Sequence, residues 1–162
     1  MSEKIRILLV DDEVKFLNSL ARRLEMRGFE VFRAENGQEA VEIAQKNRLD
    51  LALLDLKMSG MHGRDVLKSL KKEQEELEVI ILTGYGSIQF AEECAELGAF
   101  CFLPKPYELE DLLRVMKDAY KTRLKKAYAP NQKRIEEIEK LDDGSSALEI
   151  LKAFRELGDT ED

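Results

Sequence analysis

Short apolar runs alternate with longer stretches whose apolar residues recur every three or four positions, and the alternation repeats five times. Residues 5–10 form the first run. Val14, Leu17, Leu20, Ala21 and Leu24 then fall at helical spacing, with Gly28 as the stop. Residues 30–34 make a second short strand, and Asn36-Gly37 turns into a helix carrying Ala40, Val41 and Ala44. A third strand over 49–55 precedes a loop with Ser59, Gly60, His62 and Gly63, then a helix with Val66, Leu67 and Leu70. Residues 73–78 read as a charged connection. The fourth run, Val79 to Leu82, ends in Thr83-Gly84, and Ser87 is placed to cap a helix bearing Ile88, Ala91 and Ala95. Residues 99–103 are the fifth strand. Leu109, Leu112, Leu113, Met116 and Tyr120 mark the fifth helix.

Apolar runs of this length separated by helices read as parallel strands covered on both faces. The expected fold is α/β: a doubly wound (βα)5 parallel sheet in three layers, flavodoxin-like, with a C-terminal helical extension. The expected division is residues 1–122 for the sheet domain and 123–162 for the extension. Lys121 to Lys126 is basic, and Pro130 ends or restarts the helix there. Ile135, Ile138 and Leu141 form a narrow stripe; Leu148, Leu151, Phe154 and Leu157 form a second, opened by a capping pair, Ser146 and Glu149, and closed by Gly158. About forty residues cannot fold alone. These stripes need the domain, a second copy or a partner. The expectation favours docking on the domain's output face or homodimerisation.

Of 162 residues, 44% are hydrophobic and 36% charged, so a packed core sits under a highly solvated surface, and the net charge is -7. Such acidity argues against direct nucleic-acid binding, because phosphate repulsion must be overcome locally. The two cysteines, Cys94 and Cys101, are too few for a disulfide framework and read as reduced thiols. No apolar stretch approaches a membrane span, and the first strand begins too early for a signal peptide. The expected location is the cytoplasm.

In parallel sheets, chemistry gathers beyond the carboxyl ends of the strands. Asp11 and Asp12 follow the first strand and Asp55 ends the third. Each taken singly caps a helix or ends a strand. Together they are three hard oxygen donors with open positions, which suits Mg²⁺. Lys105, after the fifth strand, can pair with Asp55 or reach a bound anion. Thr83 offers a hydroxyl to an oxyanion, and Gly84 leaves space beside Asp55.

The runs Val10-Asp11-Asp12-Glu13, Leu54-Asp55-Leu56-Lys57-Met58, Leu82-Thr83-Gly84-Tyr85-Gly86 and Leu103-Pro104-Lys105-Pro106 resemble, in order and spacing, the receiver domain of two-component response regulators, in its single-domain form. The resemblance covers about three quarters of the chain. It implies that Asp55 is the phosphoacceptor. It implies that Asp11, Asp12, Asp55 and the Lys57 backbone carbonyl hold Mg²⁺. Thr83 and Lys105 bind the phosphoryl oxygens beside Gly84, Phe102 stands at the aromatic switch position, and the Lys105-Pro106 bond is cis. Lys57 and Tyr85 take positions that tune hydrolysis; both are large, which implies slow loss of phosphate. Ser59 and His62 depart from the family motif outside the reactive residues. The implied activity is a phosphoacceptor switch with self-catalysed phosphotransfer rather than an enzyme with turnover. The implied partners are a histidine kinase or phosphotransfer protein, a downstream target protein, and a second copy through the helix 4–strand 5–helix 5 face or the tail. Two other readings stay open: the receiver portion of a longer transcriptional activator, and a phosphate-independent interaction module.

Overall fold

The computed structural model describes residues 4–55, 63–84 and 88–159, without the side chains of residues 83, 88–91 and 159. Five strands, β1 (Arg6–Val10), β2 (Glu30–Ala34), β3 (Leu51–Asp55), β4 (Glu78–Thr83) and β5 (Cys101–Pro104), form one parallel sheet in the order β2-β1-β3-β4-β5. Between them run α1 (Val14–Glu25), α2 (Gly37–Lys46), α3 (Gly63–Glu73) and α4 (Ile88–Glu96), followed by α5 (Leu109–Tyr128), α6 (Gln132–Leu141) and α7 (Ala147–Asp159). The doubly wound architecture expected from the alternation is present.

The sheet divides two cores by strand alternation. Ile7, Leu9, Leu53, Ile80 and Leu82 face α1 and α5, whereas Leu8, Val10, Ala52, Leu54, Val79 and Ile81 face the α2–α3 side. Because β1, β3 and β4 are buried on both faces, they are continuous apolar runs rather than alternating ones. Local signals set the helix ends. Asn36 caps α2 by accepting from the Glu39 amide at 2.9 Å. Gly28 turns the chain out of α1 at φ +97°, a conformation side chains rarely adopt.

β3 begins at Leu51 instead of 49, and β5 spans Cys101–Pro104 instead of 99–103. Three further boundaries differ from expectation, each with a tertiary contact. Glu78 is not part of a charged connection: it opens β4, is buried, and its carboxylate accepts from Lys126 Nζ at 3.0 Å. The boundary at residue 122 falls inside α5, which continues to Tyr128 because Leu124 is buried in the core. Arg123 adds to this, with its Nε 3.4 Å from the buried Asp50 carboxylate. Gly158 does not close α7, which runs to Asp159; Gly158 lies against Tyr120 and Leu124 of α5.

The extension packs within its own chain. Ile138, Ile150, Leu151 and Phe154 are buried in the same core as Ile5, Leu24, Phe29 and Leu124. A lysine row on one flank of α5 fixes α6. Lys117 Nζ reaches Asp142 at 3.2 Å, and Lys121 Nζ reaches Glu139 and Asp142 at 3.0 Å each. Ion pairs this close to solvent contribute little each; apolar burial carries the docking, and the pairs set its register. Ser146 Oγ accepts from the Glu149 amide at 3.3 Å and starts α7. The docking uses Lys117 and Lys121 of α5. Asp118, paired with Lys117 at 2.7 Å, also acts on Cys101 of β5, whose thiol is pushed up by burial with the Asp118 charge adding to it.

Because Phe154 shares the receiver-side core, Phe154→Ala is expected to destabilise the whole chain by about 3–5 kcal/mol. Chemical denaturation should show one cooperative transition moving to lower denaturant. An unchanged main transition would mean that the extension is energetically separate.

Candidate functional site

Strand register brings the polar residues to one edge. Val10 pairs with Ala34 and Leu54, Asp55 pairs with Leu82, and Thr83 pairs with Pro104. The residues at or just beyond these positions, Asp11, Asp55, Thr83 and Lys105, therefore end adjacent strands at the same height.

Asp55 is 3% exposed and Asp11 is 1% exposed, so both carboxylates leave water at the sheet edge. Buried charge is costly unless paired. Lys105 supplies the pairing: its Nζ donates to Asp55 Oδ2 at 2.6 Å and lies 3.9 Å from Asp11 Oδ2. The same ammonium sits 4.5 Å from the centroid of the Phe16 ring, so the cation is held from one side by carboxylate and from another by a π face. The Lys105–Pro106 peptide is cis.

Asp11 uses its two oxygens differently. Oδ1 accepts from the Glu13 amide at 2.9 Å, in the turn that leads into α1. Oδ2 is buried and accepts no hydrogen bond among the described residues. Burial pushes the Asp11 carboxyl up to about 6; the Asp55 charge adds to this, while the Glu13 amide and Lys105 act the other way. Asp12, the next residue, is exposed. The turn before α1 therefore accounts for one oxygen of Asp11 and leaves the other unexplained.

Among the described residues, no group of three or more His, Cys, Asp and Glu side chains is assembled to hold a metal ion by itself. The donors present nonetheless fit a small hard cation. They are oxygens only, one of them a buried orphan, and Mg²⁺ keeps several waters and takes few protein ligands.

The remaining expected residues are divided. Gly84 is exposed and lines a cavity of about 460 Å³ together with Lys105, Pro106, Phe16 and Tyr107. Phe102 stands away from the carboxylates, 39% exposed on the edge strand β5, paired in register with Ile81. Lys57 and Tyr85 lie outside the described residues, as do Ser59, His62 and Ser87, and so does the side chain of Thr83. Two neighbours of Lys105 carry no signal in the sequence. Phe16 reads as one more apolar position near the start of α1, and Tyr107 as a residue after a turn. Only the closure of α1 over the β5–α5 connection places them beside Lys105.

The chain matches the receiver domain of response regulators over residues 7–117. It is similar to the sporulation initiation phosphotransferase F of Bacillus subtilis, with 38% identity over 117 residues, covering 72% of this chain and 93% of that protein. Two other curated relatives are longer, and the chain spans 57% and 27% of them. Among solved structures, a CheY-like receiver domain protein from Methanospirillum hungatei superposes with a TM-score of 0.73 at 31% identity, covering 76% of this chain and 99% of that one. A response regulator from Burkholderia pseudomallei, solved with a phosphorylated aspartic acid, calcium and citrate, covers 96% of this chain and 97% of its own at 26% identity and a TM-score of 0.68. That likeness reaches into the extension, beyond the family match. Motif order, strand topology and these matches agree, and the chain belongs to the response regulator receiver domain family, the phosphoacceptors of two-component signalling.

Proposed function

We propose that Asp55 is the phosphoacceptor of this chain, with Lys105 as the cation that moves from its carboxylate to the incoming phosphoryl group. The observation carrying this reading is the single ammonium at 2.6 Å from Asp55 and 3.9 Å from Asp11, at the carboxyl edge of the sheet. An Asp55 oxygen attacks the phosphorus of a phosphohistidine in a kinase or phosphotransfer protein. The P–N bond breaks with its electron pair going to the imidazole nitrogen, and a P–O bond forms, giving an acyl phosphate. Lys105 offsets charge on the transferring oxygens. Thr83 ends β4 at the same edge, and its hydroxyl is the group that the family likeness assigns to these oxygens.

Asp11, Asp12, Asp55 and the Lys57 carbonyl are the groups to hold Mg²⁺, which when bound neutralises charge on the phosphoryl oxygens. Acyl phosphate formation replaces the single negative charge of the Asp55 carboxylate with a phosphoryl group of roughly two, and brings new acceptor oxygens. Phe102, exposed at the sheet edge, is free to respond by moving toward the loop after β4. The surface of α4, β5 and the Asp118 flank of α5 is then the output face, for a downstream protein or a second copy of this chain. Lys57 and Tyr85, large residues two positions beyond Asp55 and Thr83 in the sequence, are the ones the family likeness assigns to slowing the loss of phosphate. A tail folded back on the chain is supported over a projecting dimerising linker, because α5 continues through Lys126 and α6 and α7 pack against it.

Incubation with acetyl phosphate and Mg²⁺ is expected to add one phosphoryl group by intact mass, and Asp55→Asn to abolish the gain. Persistence of the adduct in Asp55→Asn would move the acceptor elsewhere, and no adduct in the wild type would favour the phosphate-independent module.

The Asp11 carboxyl gives a pH dependence. Its folded pKa, about 6, lies above the ordinary value of 3.8, so the folded chain holds this proton more tightly than the unfolded one. Its contribution favours folding at low pH and is lost as pH rises from about 4 to 6. Asp11→Asn is therefore expected to raise the denaturation midpoint at pH 7.5, by roughly 1–3 kcal/mol, and to change little near pH 4. In the wild type, Mg²⁺ should stabilise the chain far more at pH 7.5 than at pH 5, where the proton competes for Asp11. A Mg²⁺ effect equal at both pH values would exclude Asp11 as a ligand.

A further inference from the structure

Tyr107 follows the Lys105–Pro106 pair and packs its ring, with Phe16, against the core between α1 and α5. The ring is accommodated; the hydroxyl is not. Tyr107 Oη is buried and has no hydrogen-bond partner among the described residues. Buried phenols normally find a partner, and an unmet donor is a cost to the folded state. Phenylalanine would fill the same space without that cost. The hydroxyl thus works against the resting chain.

Its surroundings suggest what it serves. Tyr107 lines the cavity of about 460 Å³ that also touches Lys105, Gly84 and Phe16, a space with room for water. Burial, with the charges of Asp11 and Asp55 adding to it, pushes the phenol up to about 12, so it stays a donor at any physiological pH. The other oxygen orphaned at this end of the molecule is Asp11 Oδ2. An unused donor in the cavity that Lys105 lines and an unused acceptor 3.9 Å from the Lys105 ammonium thus belong to the same end of the sheet.

We propose that the Tyr107 hydroxyl is a hydrogen-bond donor kept for the phosphorylated state, given to the phosphoryl group on Asp55 directly or through one water in the cavity. This rests on Asp55 being the acceptor. Phosphorylation brings several acceptor oxygens to the edge and draws Lys105 onto them. The hydroxyl gains its first partner at that moment, so it stabilises one state of the switch and not the other. Tyr107 is a positioning residue: it neither attacks nor leaves, and it sets how firmly the phosphorylated arrangement is held.

The test uses the full chain with Mg²⁺ and beryllofluoride, a stable stand-in for the phosphoryl group. Unfolding midpoints are measured without the probe, and probe affinity by calorimetry, for wild type and Tyr107→Phe. The expected result is a resting midpoint unchanged or higher in Tyr107→Phe, with beryllofluoride affinity weaker by about three- to tenfold, the worth of one hydrogen bond. Equal affinity in the two proteins overturns the proposal while leaving Asp55 as acceptor. A lower resting midpoint in Tyr107→Phe also overturns it, because the hydroxyl then has a partner before phosphorylation. Failure of the wild type to bind beryllofluoride removes the acceptor reading itself, and this proposal with it.

Discussion

One ammonium keeps two buried carboxylates side by side. Without Lys105, Asp11 and Asp55 would face each other across a dry sheet edge with no cation between them. With it, Asp55 has a donor at 2.6 Å, while Asp11 is left poorly matched: burial pushes its carboxyl up to about 6, and its Oδ2 accepts no hydrogen bond among the described residues. Among the described residues one lysine faces both acids, and Asp11 keeps the weaker share, at 3.9 Å against 2.6 Å for Asp55. A divalent ion, or a transferred group that recruits the lysine, completes what the protein alone leaves open.

The sheet makes that mismatch possible. Parallel register sets Val10 beside Leu54 and Asp55 beside Leu82, so the carboxylates cannot drift apart without breaking the ladder. The two cores hold the strands from both sides, and the buried Asp50 and Glu78 tie α5 to the opposite end of the same sheet. The amino edge therefore has Asp50 and Glu78 paired with Arg123 and Lys126, while at the carboxyl edge Asp11 Oδ2 accepts no hydrogen bond among the described residues. Rigid satisfaction at one end supports strained chemistry at the other.

How much of this was legible in sequence follows from the range of each interaction. Strands and helices up to Tyr120 are written in local periodicity, and the reactive residues at strand ends are visible because parallel topology turns position in the sequence into position in space. Asp11, Asp55 and Lys105 meet for that reason. Glu78 was misread because its burial depends on Lys126, forty-eight residues away. The continuation of α5 was missed because a basic stretch looks like a solvated linker until Leu124 and Arg123 are seen to be anchored. Phe16 and Tyr107 carry no motif at all; their relation to Lys105 exists only once α1 lies against the β5–α5 connection.

The last helix also closes against the first strand. Lys4 and Ile5 share a crevice with Leu148 and Leu151, nearly the whole chain apart. Contacts of such long sequence separation form late, after loop-closure entropy has been overcome. During vectorial synthesis the sheet and its acidic edge can assemble while the opposite end of the α1–α5 core still shows apolar surface, until α7 emerges to cover it. A nascent chain thus acquires its chemistry before its final burial, and the interval between the two is where chaperone capture or aggregation competes with folding.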